Sequence, residues 1–322
     1  MKKLGIIFLG LLLSACVQTA NLSEEDQAID LSIIEGTGGT AYSVLANAIS
    51  GAVEMEYQNS ITQIILGQPS DNPLRLSEYQ ADFALTSNIN AMYYYNGLYG
   101  FEKTENIRFV AGFNSSVIQF ALNEELNLTS FEQFAKEAHD LSIRVPEGAA
   151  GVLFEALLSV YDLTIEDLLE RNIIVHDYDQ AIIAELLESD LIDGYFTMSS
   201  IPASLVTQTF ASADMILVDL EDDRFIEAAN KVGFVPYEIE KESYAFLEKN
   251  ISSFASYTVL LSTDRTNDLL INKLIKALFN RYDYLYDAFP SLSSDVNALL
   301  NGQQIPMHPA AVIAYQELGL LK

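Results

Sequence analysis

The chain has 322 residues, half of them hydrophobic, with 17 Lys and Arg set against 45 Asp and Glu. A net charge of −28 repels nucleic acid, whose binding needs cations that displace counterions, and the apolar content excludes a disordered chain. Cys16 is the single cysteine, so no intramolecular disulfide forms and the fold must be stable without one.

Lys2 and Lys3 open the chain, an apolar run covers Leu4 to Leu13, and Leu13-Ser14-Ala15-Cys16 follows. A basic start, a short apolar stretch and small residues before a cut describe a secretory signal. The run is half of the roughly 20 residues that a membrane-spanning helix needs. We therefore expect residues 1–15 to be a signal peptide, Cys16 to be the lipidated residue, and 16–30 to be a polar tether. Each buried CH₂ of an acyl chain contributes about 0.8 kcal/mol of membrane binding. The implied location is extracytoplasmic, with the chain anchored to a membrane by its N-terminal lipid. No later segment reaches eighteen consecutive apolar residues.

From residue 31 short β-rich runs alternate with amphipathic stretches. Leu31 to Ile34 predicts a strand, Glu35 to Gly39 a glycine turn, and Thr40 to Ala52 a helix with Val44, Leu45, Ala48 and Ile49 on one face. Ala81 to Thr86 predicts a strand that leads into a helix ending at Tyr93, Tyr94 and Tyr95. Ile107 to Phe113 and Val117 to Leu122 read as two extended segments, and Ser130 caps a short helix. The second half continues with strands at 141–145, 173–175, 192–196, 215–218 and 257–261. Helices are expected at 152–161, 178–188 and 267–284. Strands alternating with helices predict an α/β fold with parallel order. No internal repeat stands out.

Two places share one local design. Ile34-Glu35-Gly36-Thr37-Gly38-Gly39-Thr40 and Arg144-Val145-Pro146-Glu147-Gly148-Ala149-Ala150-Gly151 each run from a strand through a glycine turn into a helix. A helix N-terminus presents unpaired N–H groups and partial positive charge, and glycine lets a ligand approach them closely. Two such ends facing one cleft would hold an anion. The candidate ligand-binding residues are Thr37, Gly38, Gly39, Thr40, Tyr42, Ser87, Asn88, Arg144, Gly148, Ala149, Ala150 and Gly151. Arg144 is the cation that could pair with a second carboxylate. His139, His176 and His308 lack metal spacing, and no nucleophile elbow or phosphate loop is present. His176 with Asp177 and Asp179 could form a proton relay, but such a cluster reads more simply as a solvated strand end. No metal, cofactor or catalytic residue is expected.

With these residues in view, the chain resembles the TAXI family of solute receptors, the binding components of TRAP-type tripartite transporters, from about Leu31 to the C-terminus. Thr37 to Tyr42 looks like the family's Gly-Gly-x-Tyr-Tyr stretch, with Ala41 in place of the first tyrosine. Ala81-Asp82-Phe83-Ala84 is similar to its AD-x-A strand. Pro146 to Gly151 stands where a Gly-Ser-Gly-Thr turn is usual, with Ala149 and Ala150 replacing hydroxyls. Asp193-Gly194-Tyr195-Phe196 with Pro202, and Ile305-Pro306-Met307-His308-Pro309, are close to two further family segments.

The resemblance implies an α/β, two-lobed, periplasmic-binding-protein-like fold with the ligand cleft between the lobes. Residues 31–120 and 257–322 would form lobe 1, and 121–256 lobe 2. The implied function is capture of a small organic acid, carboxylate or dicarboxylate, for delivery to the integral membrane permease subunits of a TRAP-type transporter. The rivals are a binding lipoprotein of an ABC importer or sensor kinase, and a surface lipoprotein with a hydrolase or adhesion role.

Overall fold

The computed structural model describes residues 27–36 and 41–322. The expected signal peptide, Cys16 and the turn residues Thr37, Gly38, Gly39 and Thr40 lie outside them. The first part of the chain forms β1 (Asp30–Ile34), α1 (Ala41–Glu56), β2 (Ile61–Ile65), α2 (Asn72–Ser77), β3 (Phe83–Ser87), α3 (Asn88–Asn96) and β4 (Ile107–Asn123). Then come α4 (Phe131–Glu137), β5 (Leu141–Arg144), α5 (Ala149–Ser159), α6 (Ile165–Glu170), β6 (Ile173–His176), α7 (Ile183–Glu188) and β7 (Gly194–Ser199). The chain continues with α8 (Ser204–Ser212), β8 (Met215–Leu217), α9 (Asp223–Lys231), β9 (Val235–Ile239) and β10 (Ile251–Thr263). It closes with α10 (Asp268–Asn280), α11 (Tyr282–Ala288) and α12 (Pro309–Glu317).

Among the described residues the strands join in one sheet of order β2-β1-β3-β10-β4-β7-β5-β6, with β8 on β4 and β9 on β10. β1 is parallel to β2 and β3, and β5 is parallel to β6 and β7. The antiparallel pair β4 and β10 runs through both groups. Phe113 belongs to a first core and Val117 to another; on β10 the change falls between Ala255 and Val259. These two strands therefore form a ribbon crossing between two lobes. Lobe 1 buries α1, α10 and α12 against β1 and β3. In lobe 2, α4, α5 and α9 cover one face of the sheet and α7 and α8 the other.

The lobes repeat one design. Asp82, just before β3, accepts hydrogen bonds from the Ser32 backbone N–H (2.8 Å) and hydroxyl (2.7 Å) on β1. Asp193, just before β7, accepts the Ser142 backbone N–H on β5 at 2.7 Å. Each carboxylate locks the inner parallel pair of its lobe, which accounts for two of the motifs read above. The reading that found no repeat is corrected here: the repeat lies in topology and in two serine–aspartate pairs, too few residues to register as self-similarity.

Several expected boundaries change. The segments 107–113 and 117–122 are one continuous strand, because Asn114, Ser115 and Ser116, read as a break, cross the gap between cores. The helix expected over 267–284 is two helices divided at Arg281, whose Nε pairs with Glu56 at 2.9 Å. The motif around His308 is structural: the backbones of Phe109, Pro306 and His308 bond to one another, and the His308 ring accepts the Ala310 N–H to cap α12. At the other end, Lys273 on α10 is 3% exposed. Its ammonium donates to the Gln27 carbonyl at 2.8 Å and lies 5.2 Å from the centre of the Tyr57 ring.

Candidate functional site

The carboxyl ends of β1 and β3 in lobe 1 and of β5, β6 and β7 in lobe 2 point toward the crossing ribbon, where open α/β sheets take their ligands. Strand alternation gives the ribbon two faces. Phe254, Ser256 and Thr258 point one way. Phe254 packs into the core that also buries α5, and Thr258 shares a hydrogen bond with Tyr42 in the first turn of α1. The starts of α1 and α5 thus lie on one face of the ribbon, with the paired Ser116 and Ser256 between the lobes. Burial pushes the Tyr42 phenol up, and its bond with Thr258 offsets part of that.

On the lobe 1 side, Gly36 packs so closely that an added Cβ would lie 2.7 Å from the Tyr42 Cβ and 3.3 Å from Pro69. Ser87, half-buried, caps α3 by accepting the Asn90 N–H at 3.1 Å. Asn88 does not belong with the ligand-facing residues, and its assignment is corrected. It is 0% exposed. Its amide donates to the Gly233 carbonyl at 2.8 Å, and its oxygen accepts the Ser256 hydroxyl at 2.9 Å and the Tyr257 N–H at 2.8 Å. Gln304 also donates to the Gly233 carbonyl, and Tyr93 donates to that of Val232. Three side chains of lobe 1 thereby hold one loop of lobe 2.

On the lobe 2 side, Gly148 adopts φ 80° with open space where a Cβ would stand, and no side chain caps α5. The first N–H groups of α5 are therefore left without a side-chain cap. Ala149 is half-buried there, whereas Ala150 turns into the core. Gly151 serves packing: an added Cβ would come within 2.5 Å of the Pro146 carbonyl oxygen. Arg144 is 7% exposed and donates to the carbonyls of Tyr178 and Phe196. Burial pushes the guanidinium pKa down, against the opposing effect of Asp177 and Asp179. Asp177 accepts the Glu147 N–H, Asp179 caps the next turn, and His176 bonds the Ser142 hydroxyl and stacks on Tyr178. Among the described residues no cluster of His, Cys, Asp or Glu could hold a metal ion.

The opposite face of the ribbon carries a chamber that sequence reasoning missed. It has a volume of about 270 Å³ and is walled by Phe113 and 290–293 of lobe 1, Ser200, Ile201 and Tyr237 of lobe 2, and Ser115 and Tyr257 of the ribbon. Asn301 completes the wall, and no charged residue lines it. Its residues come from six separate stretches, none of which carries a recognisable signal. Only the polar break at Asn114-Ser115-Ser116, inside an otherwise apolar strand, could have pointed to it.

Comparison with known proteins adds three findings. The model of the NMT1-like family matches residues 34–319. A solved TctC solute binding protein from Polaromonas superposes with a TM-score of 0.54 at 15% identity, covering 93% of this chain and 100% of that one. A structure described as the periplasmic sulfonate-binding protein SsuA from Methylobacillus flagellatus gives 0.49 at 10% identity over 92% and 89% of the two chains. At these identities the first likeness establishes the two-lobed fold and nothing finer, and the second carries no argument. A comparison with curated protein sequences finds no match.

Proposed function

We propose, since this chain belongs to the NMT1-like family, that it is an extracytoplasmic solute-binding protein that closes its two lobes on a small organic acid. The observation that carries this reading is the placement of two helix starts, α1 and α5, on one face of a two-strand ribbon. Ser116 and the hydrogen-bonded pair Thr258 and Tyr42 lie between them, while the buried Ser256 hydroxyl is committed to Asn88. An anion held there needs no cation, because the unpaired N–H groups of the helix starts would supply its hydrogen bonds. Thr37, Gly38, Gly39, Thr40 and Tyr42 would form the lobe 1 half of the site, and Gly148 and Ala149 the lobe 2 half. Arg144, which precedes the second turn, donates to the carbonyls of Tyr178 and Phe196.

The resemblance to TAXI receptors supports a TRAP-type permease as the partner, and the lipoprotein-like start supports attachment through Cys16. Among the described residues no helix is long and apolar enough to cross a membrane. The test is native mass spectrometry of the purified mature protein, followed by calorimetry with whatever acid copurifies. A stoichiometric small acid with saturable affinity is the expected result. Recovery of protein with no bound solute, and no melting shift across a panel of mono- and dicarboxylates, overturns the proposal.

A further inference from the structure

We propose that Glu35 anchors a positively charged nitrogen of the solute, so that the solute carries a protonated amine as well as an acid group. This rests on the reading that a small acid binds between the lobes. Glu35 follows the last residue of β1. Its N–H donates to the Ile65 carbonyl, and its own carbonyl accepts the Asn72 amide at 2.6 Å. The side chain is another matter. Glu35 is 4% exposed, and its Oε2 is buried with no hydrogen-bond partner among the described residues.

Direction follows from alternation along β1. Ile34 points to the α2 side, since its Cγ2 and the Asn72 oxygen crowd the same spot beside Gly67. Glu35 therefore points to the other side. Consecutive right-handed crossovers that step outward to β2 and back to β3 place α1 and α2 on opposite faces, so Glu35 shares the face of α1, the face argued above to hold the solute. A neighbouring amide cannot satisfy it, because Asn72 already donates to Glu35 O and to the Leu85 carbonyl.

A buried carboxylate oxygen without a donor is costly, and native proteins hold few such groups. A solute ammonium supplies the missing donor and the missing charge together. With the acid group on the uncapped start of α5 in lobe 2, an amine on Glu35 in lobe 1 would make the solute bridge the lobes. Only such bridging contacts favour the closed state.

The rival reading is that Glu35 serves the turn before α1 as an internal cap. Two measurements separate them. The first is the ligand-free stability of Glu35→Gln by urea denaturation. Glu35→Gln should match or exceed the natural protein; a lower midpoint denotes a cap and overturns the proposal. The second is calorimetry with acids paired by the presence or absence of the amine: L-glutamate with glutarate, L-leucine with 4-methylpentanoate, and 4-aminobutyrate with butyrate. The natural protein should bind at least one amine-bearing member tenfold or more tightly than its partner, and Glu35→Gln should erase that preference. Equal or tighter binding of the amine-free members overturns the role of Glu35 and leaves solute binding standing. Binding of no member of either kind overturns both.

Discussion

Replacing Asn88 with alanine tests whether this residue fastens the lobes or meets the solute. The side chain is wholly buried and makes three hydrogen bonds, two of them to the ribbon strand β10 and one to the loop at Gly233. At about 1 kcal/mol net per bond the loss is about 3 kcal/mol. Ser256, itself 4% exposed, and the Tyr257 N–H are left without this acceptor. Gly233 keeps its bond from Gln304. The unmet donors bring the expected destabilisation to about 3–5 kcal/mol. Urea denaturation followed by circular dichroism measures it, and an unchanged slope confirms that the same surface unfolds. A loss below about 1 kcal/mol, accompanied by weakened solute binding, would refute the reasoning and return Asn88 to the binding site.

Cys16→Ala should abolish incorporation of labelled fatty acid and detergent partitioning, and continued labelling would dismiss the lipid anchor. Gly151→Ala should destabilise the fold by about 1–3 kcal/mol through overpacking against Pro146, whereas a ligand-contact role would lower affinity and leave stability alone. Burial pushes the phenols of Tyr93 and Tyr282 up to about 12. The folded protein therefore keeps protons that the unfolded chain releases from pH 10. The associated stability is complete below pH 10 and is lost as pH climbs toward 12; denaturation midpoints at pH 9, 10.5 and 11.5 should fall in that order. Saturating solute should shrink the radius of gyration in X-ray scattering, and superimposable curves would end the hinge proposal.

The fold class was legible because alternating strands and helices leave a periodic trace, and β1, β5 and β6 fall within a residue or two of expectation. Partners across the ribbon were not legible. A strand that crosses two cores needs a polar middle, and Asn114-Ser115-Ser116 therefore resembles a loop. The same limit explains Asn88: a polar residue after a strand end suits a ligand and a buried junction equally well. Only the positions of Gly233 and Ser256, 145 and 168 residues away, decide between them. Glu35 was hidden for the opposite reason, since a glutamate beside a glycine turn looks like ordinary surface until its burial is known. The two glycines at 148 and 151 look alike in sequence, yet one provides a backbone angle and the other room for a carbonyl.

Lys273 gives lobe 1 an attachment point. By gripping the carbonyl of Gln27, it fastens the backbone just ahead of β1 to α10 of lobe 1. Any pull on that backbone is thus delivered to lobe 1. If the leash begins at a lipid on Cys16, lobe 1 is the part moored to the bilayer and lobe 2 is the part that swings. A transport partner embedded in the same bilayer would then sense the presence of cargo as a change in the height and tilt of lobe 2 alone.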